Sequence, residues 1–258
     1  MSNEPFYVKF SRCLKLLFVP LLESQFLLHL PDLYHELAHP IIVHENDPLT
    51  EPFRHSLVQF INEVIVYINA QITRYRRKTG PHEFQIMLNT WRHSWLGWTI
   101  ELFCDLFAVF TLGPAYAWSH MHLTIKFGTN PYAFKRYEIS SHPPDNVRMK
   151  AILLGLQMMN FESQSKEIEE KWNSALTFLS HKPEPEYNLA FPDHIVEQCV
   201  VRAFEGISKI DCRIANECTN DRIHALLNNA WETFWSEPDS YPSWEREEVN
   251  KLRSELLA

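Results

Sequence analysis

The chain has 258 residues, of which 45% are hydrophobic and 22% are charged, and its formal net charge is −8. That length and composition are typical of a globular protein with a sizeable core, which excludes a largely disordered chain. The acidic balance argues against nucleic acid as a partner, because binding phosphates needs a basic surface. Six glycines against 16 prolines favour helices joined by stiff connections over a sheet built on glycine turns.

The cysteines and the apolar segments predict a cytoplasmic, soluble protein. The five cysteines include no Cys-x-x-Cys pair, which is typical of reduced thiols, and no secretory signal is evident. The most membrane-like stretch runs from Trp95 to Trp118, but Glu101 and Asp105 lie within it and charges are costly in lipid. We therefore expect a buried core helix there and no transmembrane segment. Peripheral membrane contact is left open.

The first predicted helix carries the first candidate site. It is expected to begin at Pro31-Asp32, since proline suits the first helical turn. Residues 35–39 read His-Glu-Leu-Ala-His, and positions i and i+4 of a helix share one face, so both imidazoles can reach one metal ion. Because a residue before proline disfavours helical angles, Pro40 predicts that the helix ends or kinks at His39. The alternative is two histidines on a short amphipathic helix without metal.

The remaining elements are also predicted to be helical. Asp47 or Thr50 is expected to open a helix that buries one face, formed by Leu57, Phe60, Ile61, Val64, Ile65, Ile68 and Ile72. The basic run at 74–78 is expected at the C-terminal end of that helix. A more apolar helix should run from about Trp95 to Leu112, ended by Gly113-Pro114. Further helices are predicted at 146–160, 163–180, 192–207, 219–235 and 242–257, with loops at 182–185 and 237–242.

A third metal ligand has to come from outside the His-Glu-x-x-His helix. His44 follows His39 by five residues without an intervening glycine, which does not fit the metzincin pattern. Glu101 and Asp105 are i and i+4 on a very apolar helix, and buried carboxylates are costly unless paired or metal-bound. We therefore expect Glu101 to bind the metal and Asp105 to accept a hydrogen bond from a ligand histidine. The alternative is that both acids face solvent.

Three motifs in chain order resemble a known peptidase group. His-Glu-x-x-His followed by Glu-x-x-x-Asp resembles the gluzincins. The segment Glu-Leu-Phe-Cys-Asp-Leu-Phe-Ala at 101–108 is similar to the Glu-x-x-Ala-Asp-x-x-Ala of the branch with HtpX-type and CAAX-prenyl endopeptidases. That branch also carries Ser/Thr-His-Pro-x-x-x-x-Arg, and residues 141–148 match this pattern. The resemblance covers roughly residues 30–155.

This resemblance implies a zinc metallopeptidase with a mainly α, gluzincin-like core and little or no sheet. One zinc ion per chain would be bound by His35, His39 and Glu101, with water at the open position. Glu36 would act as general base and proton shuttle in the hydrolysis of a peptide bond.

Three further residues receive roles from the same resemblance. Asp105 would orient a ligand histidine, and His142 would stabilise the oxyanion that forms on the substrate carbonyl. Arg148 would support the site through a carboxylate. Cys104 stands where the family has alanine, and we expect it to be a small buried apolar residue rather than a nucleophile, since no activating partner is identifiable.

Because every strong motif precedes residue 182, we predict a catalytic domain at 1–181 and a helical extension at 182–258 that packs on it. The expected partner is a peptide or protein substrate. Two rival functions are a regulatory protease similar to the ImmA/IrrE group, which cleaves one partner protein, and a catalytically inactive helical interaction module. The substrate and the oligomeric state are left open.

Overall fold

A computed structural model describes residues 9–11, 16–18, 27–43, 47–76, 82–216 and 222–256. These residues are mainly helical, which confirms the predicted fold class. The strands in the described ranges are β1 (Lys9–Ser11) and β2 (Leu16–Phe18), a short antiparallel hairpin in which Phe10 is opposite Leu17. A 3-10 turn at Leu27–His29 leads into the first helix.

The helices follow in chain order. They are α1 (Leu30–Val43), α2 (Glu51–Arg76), α3 (His82–Leu112), α4 (Pro114–Phe127), α5 (Asp145–Met158), α6 (Glu162–Leu179), α7 (Tyr187–Ala190), α8 (Asp193–Ile207), α9 (Arg222–Ser236) and α10 (Tyr241–Leu256). The predicted helices at 146–160, 163–180, 192–207 and 242–257 correspond to α5, α6, α8 and α10, with ends that differ by a residue or two. The predicted start of α9 at 219 lies outside the described residues.

The long helix α3 is the centre of the fold, since α1, α2, α4, α5 and α8 all pack against it. The predicted end at Leu112 is confirmed, but the predicted start near Trp95 is wrong, because the helix begins at His82. Its first half is amphipathic, with Leu88 and Trp91 buried and Arg92 exposed, and only the second half is buried almost throughout. Apolar content alone therefore marked only the second half.

Helix α4 was missed by the sequence analysis. Gly113 adopts a φ of 67°, a region that glycine enters without a Cβ clash, and Pro114 then begins the new helix. Gly128 ends it in the left-handed conformation with a φ of 59°. The glycine-proline stop was therefore correct, but the chain turns and continues directly as a helix that packs on α1, α3 and α5.

Helix α1 passes through Pro40 and continues to Val43, so of the two predicted alternatives the end at His39 is wrong, and the kink stays a prediction. Proline lacks the amide hydrogen and therefore removes one backbone hydrogen bond from the helix. Burial of Ile42 after the proline holds the last turn on the core, because its apolar side chain is only 5% exposed.

The segment after residue 182 contributes to the same core. Helix α8 packs against α2, α3 and α5. The indole Nε1 of Trp95 donates to the carbonyl of Ala190 over 3.2 Å, and the rings of Trp98 and Phe191 lie 4.7 Å apart. The division at residue 182 stays a prediction, but the helices on its two sides share buried aromatic contacts.

Within the described ranges, α3 is the helix whose length and apolar content would allow it to cross a membrane. In its most apolar window, 78% of the residues are buried inside the protein. It thereby has the burial of a core helix, as the charges at Glu101 and Asp105 led us to expect. The basic run at 74–78 is described only as far as the end of α2 at Arg76.

Candidate metal centre

The two histidines of the first motif lie on the face of α1 that meets α3. His35 is 7% exposed, and the side chain of His39 is 22% exposed. Their ring centroids are 5.2 Å apart in an edge-on arrangement. One turn of helix separates them, so their imidazoles point to a common position.

Glu101 lies opposite this pair on α3 and is 8% exposed. Its Oε2 atom is 3.4 Å from Nε2 of His35, and its Oε1 atom is 3.8 Å from Nε2 of His39. Two helices distant in the chain thus converge, and the carboxylate of the proposed third ligand faces both imidazole nitrogens.

A fourth donor, Cys104, lies beside the two imidazoles. His35, His39 and Cys104 each offer a ligand atom within 4.8 Å of the other two, so this group could hold a metal ion. The sequence analysis treated Cys104 as a packing residue, and it is indeed fully buried. A spacing of i and i+3 from Glu101 was the signal that could have identified the thiol, since it places both side chains on one face of α3.

Asp105 accepts a hydrogen bond of 2.8 Å from Nδ1 of His35 and has no exposed surface. Arg148 binds the same carboxylate in a bidentate manner, with Nε 2.8 Å from Oδ2 and Nη2 2.7 Å from Oδ1. Burial would raise the pKa of Asp105, but the Arg148 guanidinium and His35 outweigh it and hold that pKa well below the usual range. Asp105 therefore carries a negative charge between two cationic or donating partners.

Tyr116 on α4 is a further member that the sequence analysis missed. Its hydroxyl donates to Oδ1 of Asp105 over 2.5 Å and lies 3.2 Å from Nδ1 of His35. Burial, followed by the charge of Asp105, raises the pKa of Tyr116 well above its ordinary value, so the phenol keeps its proton. No sequence motif marks this tyrosine, because it reaches the site through the turn at Gly113.

These contacts determine the orientation of the His35 ring. With Nδ1–H donating to Asp105, Nε2 is directed at the cluster and offers its lone pair once its proton is lost, which is the arrangement that metal-binding histidines use. Burial would lower the pKa of His35, but the hydrogen bonds to Asp105 and Glu101 outweigh it and raise that pKa to about 9. A metal ion at this position would therefore compete with a proton.

Glu36 lies next to His35 and is half-buried at the edge of the cluster. Burial raises its pKa from the ordinary value, and the charge of Glu101 adds to this rise, whereas His35 and Arg148 oppose it. A carboxylate with a raised pKa is a better proton acceptor, which is the property that a general base near neutral pH requires.

His142 approaches the same carboxylate from a loop. Its Nε2 atom is 3.6 Å from Oε2 of Glu101, and its side chain is 67% exposed. The Nδ1 atom of the ring forms a 2.8 Å hydrogen bond with the Ser141 hydroxyl. The loop is held by a 2.9 Å hydrogen bond from the Trp98 indole to the Ser140 hydroxyl. Contacts thus connect six of the seven predicted site residues, namely His35, His39, Glu101, Asp105, His142 and Arg148, and Glu36 is adjacent to His35 in the chain.

Gly97 allows this loop to cross α3. A Cβ atom at this position would lie 2.8 Å from Cα of Ser141, a backbone atom that cannot rotate away. We expect Gly97→Ala to displace the loop and destabilise the protein by about 1–3 kcal/mol, the usual cost of overpacking. Urea unfolding measures the loss. The exposed neighbour Leu96 provides the control, since Leu96→Ala should change the unfolding free energy little, and an unchanged Gly97→Ala variant would contradict the close contact.

Two further histidines, His120 and His122, have contacts outside the cluster. His120 is buried, and its Nε2 atom lies 3.4 Å from the Asp145 carbonyl. His122 packs against the rings of Trp231 and Phe234. His44 lies outside the described residues.

Comparison of the chain with protein-family models, with curated proteins and with solved structures gave no match. The resemblance to the gluzincins therefore rests on the three motifs and stays a prediction. What the structure adds is a buried histidine and cysteine group that could hold a metal ion, with a carboxylate facing both imidazoles.

Proposed function

We propose that this protein is a zinc-dependent endopeptidase. The observation that carries the proposal is the meeting of His35 and His39 with Glu101, while His35 is oriented by the buried Asp105. A carboxylate buried beside two imidazoles is costly unless a cation compensates it. In the metal-free chain the protonated His35, whose pKa is raised to about 9, provides that compensation, and a divalent ion bound by these three side chains would replace its proton.

The donor set favours zinc among the common metal ions. Imidazole, carboxylate and thiolate donors suit zinc, whereas magnesium and calcium prefer oxygen ligands alone. Zinc, when bound, acidifies water and polarises the carbonyl of the substrate. His35, His39 and Glu101 would hold it, and Asp105 would keep Nε2 of His35 directed at it.

The remaining residues have roles around the scissile bond. Glu36 would accept a proton from the attacking water and return it to the leaving amine, which its raised pKa supports. His142 is exposed and within reach of the cluster, so it would donate a hydrogen bond to the oxygen on which negative charge develops. Arg148 and Tyr116 both bind Asp105 and would act on the metal ligand through it.

Metal content and metal-dependent cleavage test this proposal together. We expect about one zinc ion per purified chain, and cleavage of a mixed peptide library that a chelator abolishes and added zinc restores. An exposed variant such as Glu83→Gln, at the start of α3, should behave like the unchanged protein.

The outcome also separates the rival functions. A metal content well below one ion per chain would contradict the proposal and favour an inactive interaction module. Full metal content with cleavage of one co-encoded protein, and of no library peptide, would favour the regulatory protease.

A further inference from the structure

The thiol of Cys104 is a donor in excess of those that the peptidase mechanism needs. It lies about one turn of α3 from Glu101 and is fully buried. Its sulfur atom lies within 4.8 Å of the ligand atoms of His35 and His39. The two imidazoles thus have the Cys104 sulfur within 4.8 Å and the Glu101 carboxylate oxygens at 3.4 and 3.8 Å, which gives four candidate donors in place of three.

Tetrahedral zinc has bonds of about 2.0–2.1 Å to nitrogen and about 2.3 Å to sulfur, which places these two donors about 3.6 Å apart. The ligand atoms of His35, His39 and Cys104 are at most 4.8 Å apart, so the sulfur needs to approach each imidazole nitrogen by about 1.2 Å at most. Rotation about the single Cα–Cβ bond moves a cysteine sulfur over such a distance.

We propose that Cys104 is a fourth ligand of the metal, so that the resting centre is a closed His35, His39, Glu101 and Cys104 site. A metal–sulfur bond forms, and the thiol proton is released to solvent, as is general for metal-bound cysteine. Structural zinc sites have four protein ligands, whereas catalytic sites keep one position open for water.

A closed centre would keep the peptidase inactive while Cys104 is bound to the metal, a state that we call latency. This consequence rests on the proposed function. Water could reach the reacting position only after the thiolate has left it. The removal of the thiol should therefore open the centre, and Cys104→Ala should cleave peptides faster than the unchanged protein. The family pattern, with alanine at this position, corresponds to the permanently open arrangement.

Cobalt(II) in place of zinc tests the ligation directly, because a cobalt–thiolate bond produces an intense near-ultraviolet charge-transfer absorption. We expect the full chain with one cobalt ion to show this absorption and Cys104→Ala to lose it while keeping the ion. Cys199 provides the matched control, since it is another fully buried cysteine, on α8. The Cys199→Ala variant should keep the absorption. With zinc bound, Cys104→Ala should show several-fold faster cleavage than Cys199→Ala.

The results distinguish this inference from the proposed function. A cobalt-loaded chain without the absorption, or an absorption that persists in Cys104→Ala, would overturn the ligation while leaving the peptidase proposal intact. Cobalt–thiolate absorption together with an absence of cleavage in every variant would support the ligation and contradict the peptidase. Equal cleavage rates for the two alanine variants would overturn the latency. If Cys104→Ala does not fold, Cys104→Ser is compared with the unchanged chain. Ligation predicts the cobalt–thiolate absorption in the unchanged chain and its loss in Cys104→Ser, and an absorption that persists in Cys104→Ser would overturn the ligation.

Discussion

Replacement of Glu36 by glutamine is expected to lower kcat by roughly 10²- to 10⁴-fold, the contribution that a positioned general base makes. Glutamine has nearly the same shape and cannot accept the proton of the attacking water. The metal should stay bound, because Glu36 is not among the ligands and the i and i+4 face of α1 is unchanged. Metal content, measured on the same preparation as the cleavage rate, separates the loss of the base from the loss of the ion.

The control for this variant is Glu83→Gln, which makes the same chemical change at an exposed position on α3. Its kcat should equal that of the unchanged protein. Full activity in Glu36→Gln would refute the proposed mechanism even if zinc were present. A loss of both metal and activity would instead place Glu36 among the residues that hold the ion.

Replacement of Asp105 by alanine is expected to lower the free energy of unfolding by about 3–5 kcal/mol, the usual cost of leaving one partner of a buried ion pair alone. Arg148 would keep its charge with neither carboxylate oxygen to bind, and the donors Tyr116 and His35 would lose their shared acceptor. Urea unfolding of chelator-treated protein measures this loss without a contribution from metal binding.

The metal affinity of the same variant should fall by about 10- to 100-fold, since the partner that orients His35 is gone. Arg148→Met in the Asp105→Ala background should recover part of the stability, because both charges are then removed. Asp193 pairs with Lys150 at the surface and is 81% exposed, so Asp193→Ala is the control and should change little. A stability loss no greater than that of this control would show that the buried ion pair is not a main support of the site.

The helical faces could be predicted from the sequence because they depend on local periodicity. The i and i+4 spacing of His35 and His39, and of Glu101 and Asp105, determines which side chains share a face wherever the helices form. The burial of α3 around Glu101 also follows from its apolar residues, and the buried pair of carboxylates was itself the sign that something compensates them.

Other features depended on long-range packing, which no local pattern reveals. The motif at 141–148 predicted that Arg148 supports the site through a carboxylate. Only the structure shows that this carboxylate is Asp105 and that the bidentate contact joins α5 to α3. Tyr116 reaches the same carboxylate only because the chain turns at Gly113 and continues as α4.

The sequence by itself determined the chemistry that is available here, namely which imidazoles, carboxylates and thiol can share a helical face, because a fixed helical repeat sets those positions. Only the tertiary structure decided that the two faces meet. The hydrogen bond between His35 and Asp105 spans 70 residues of chain, and the packing of α1 on α3 brings Cys104 within reach of the same two imidazoles. Such contacts form because apolar surfaces on separate helices are buried together, and that burial depends on the whole core rather than on any one segment.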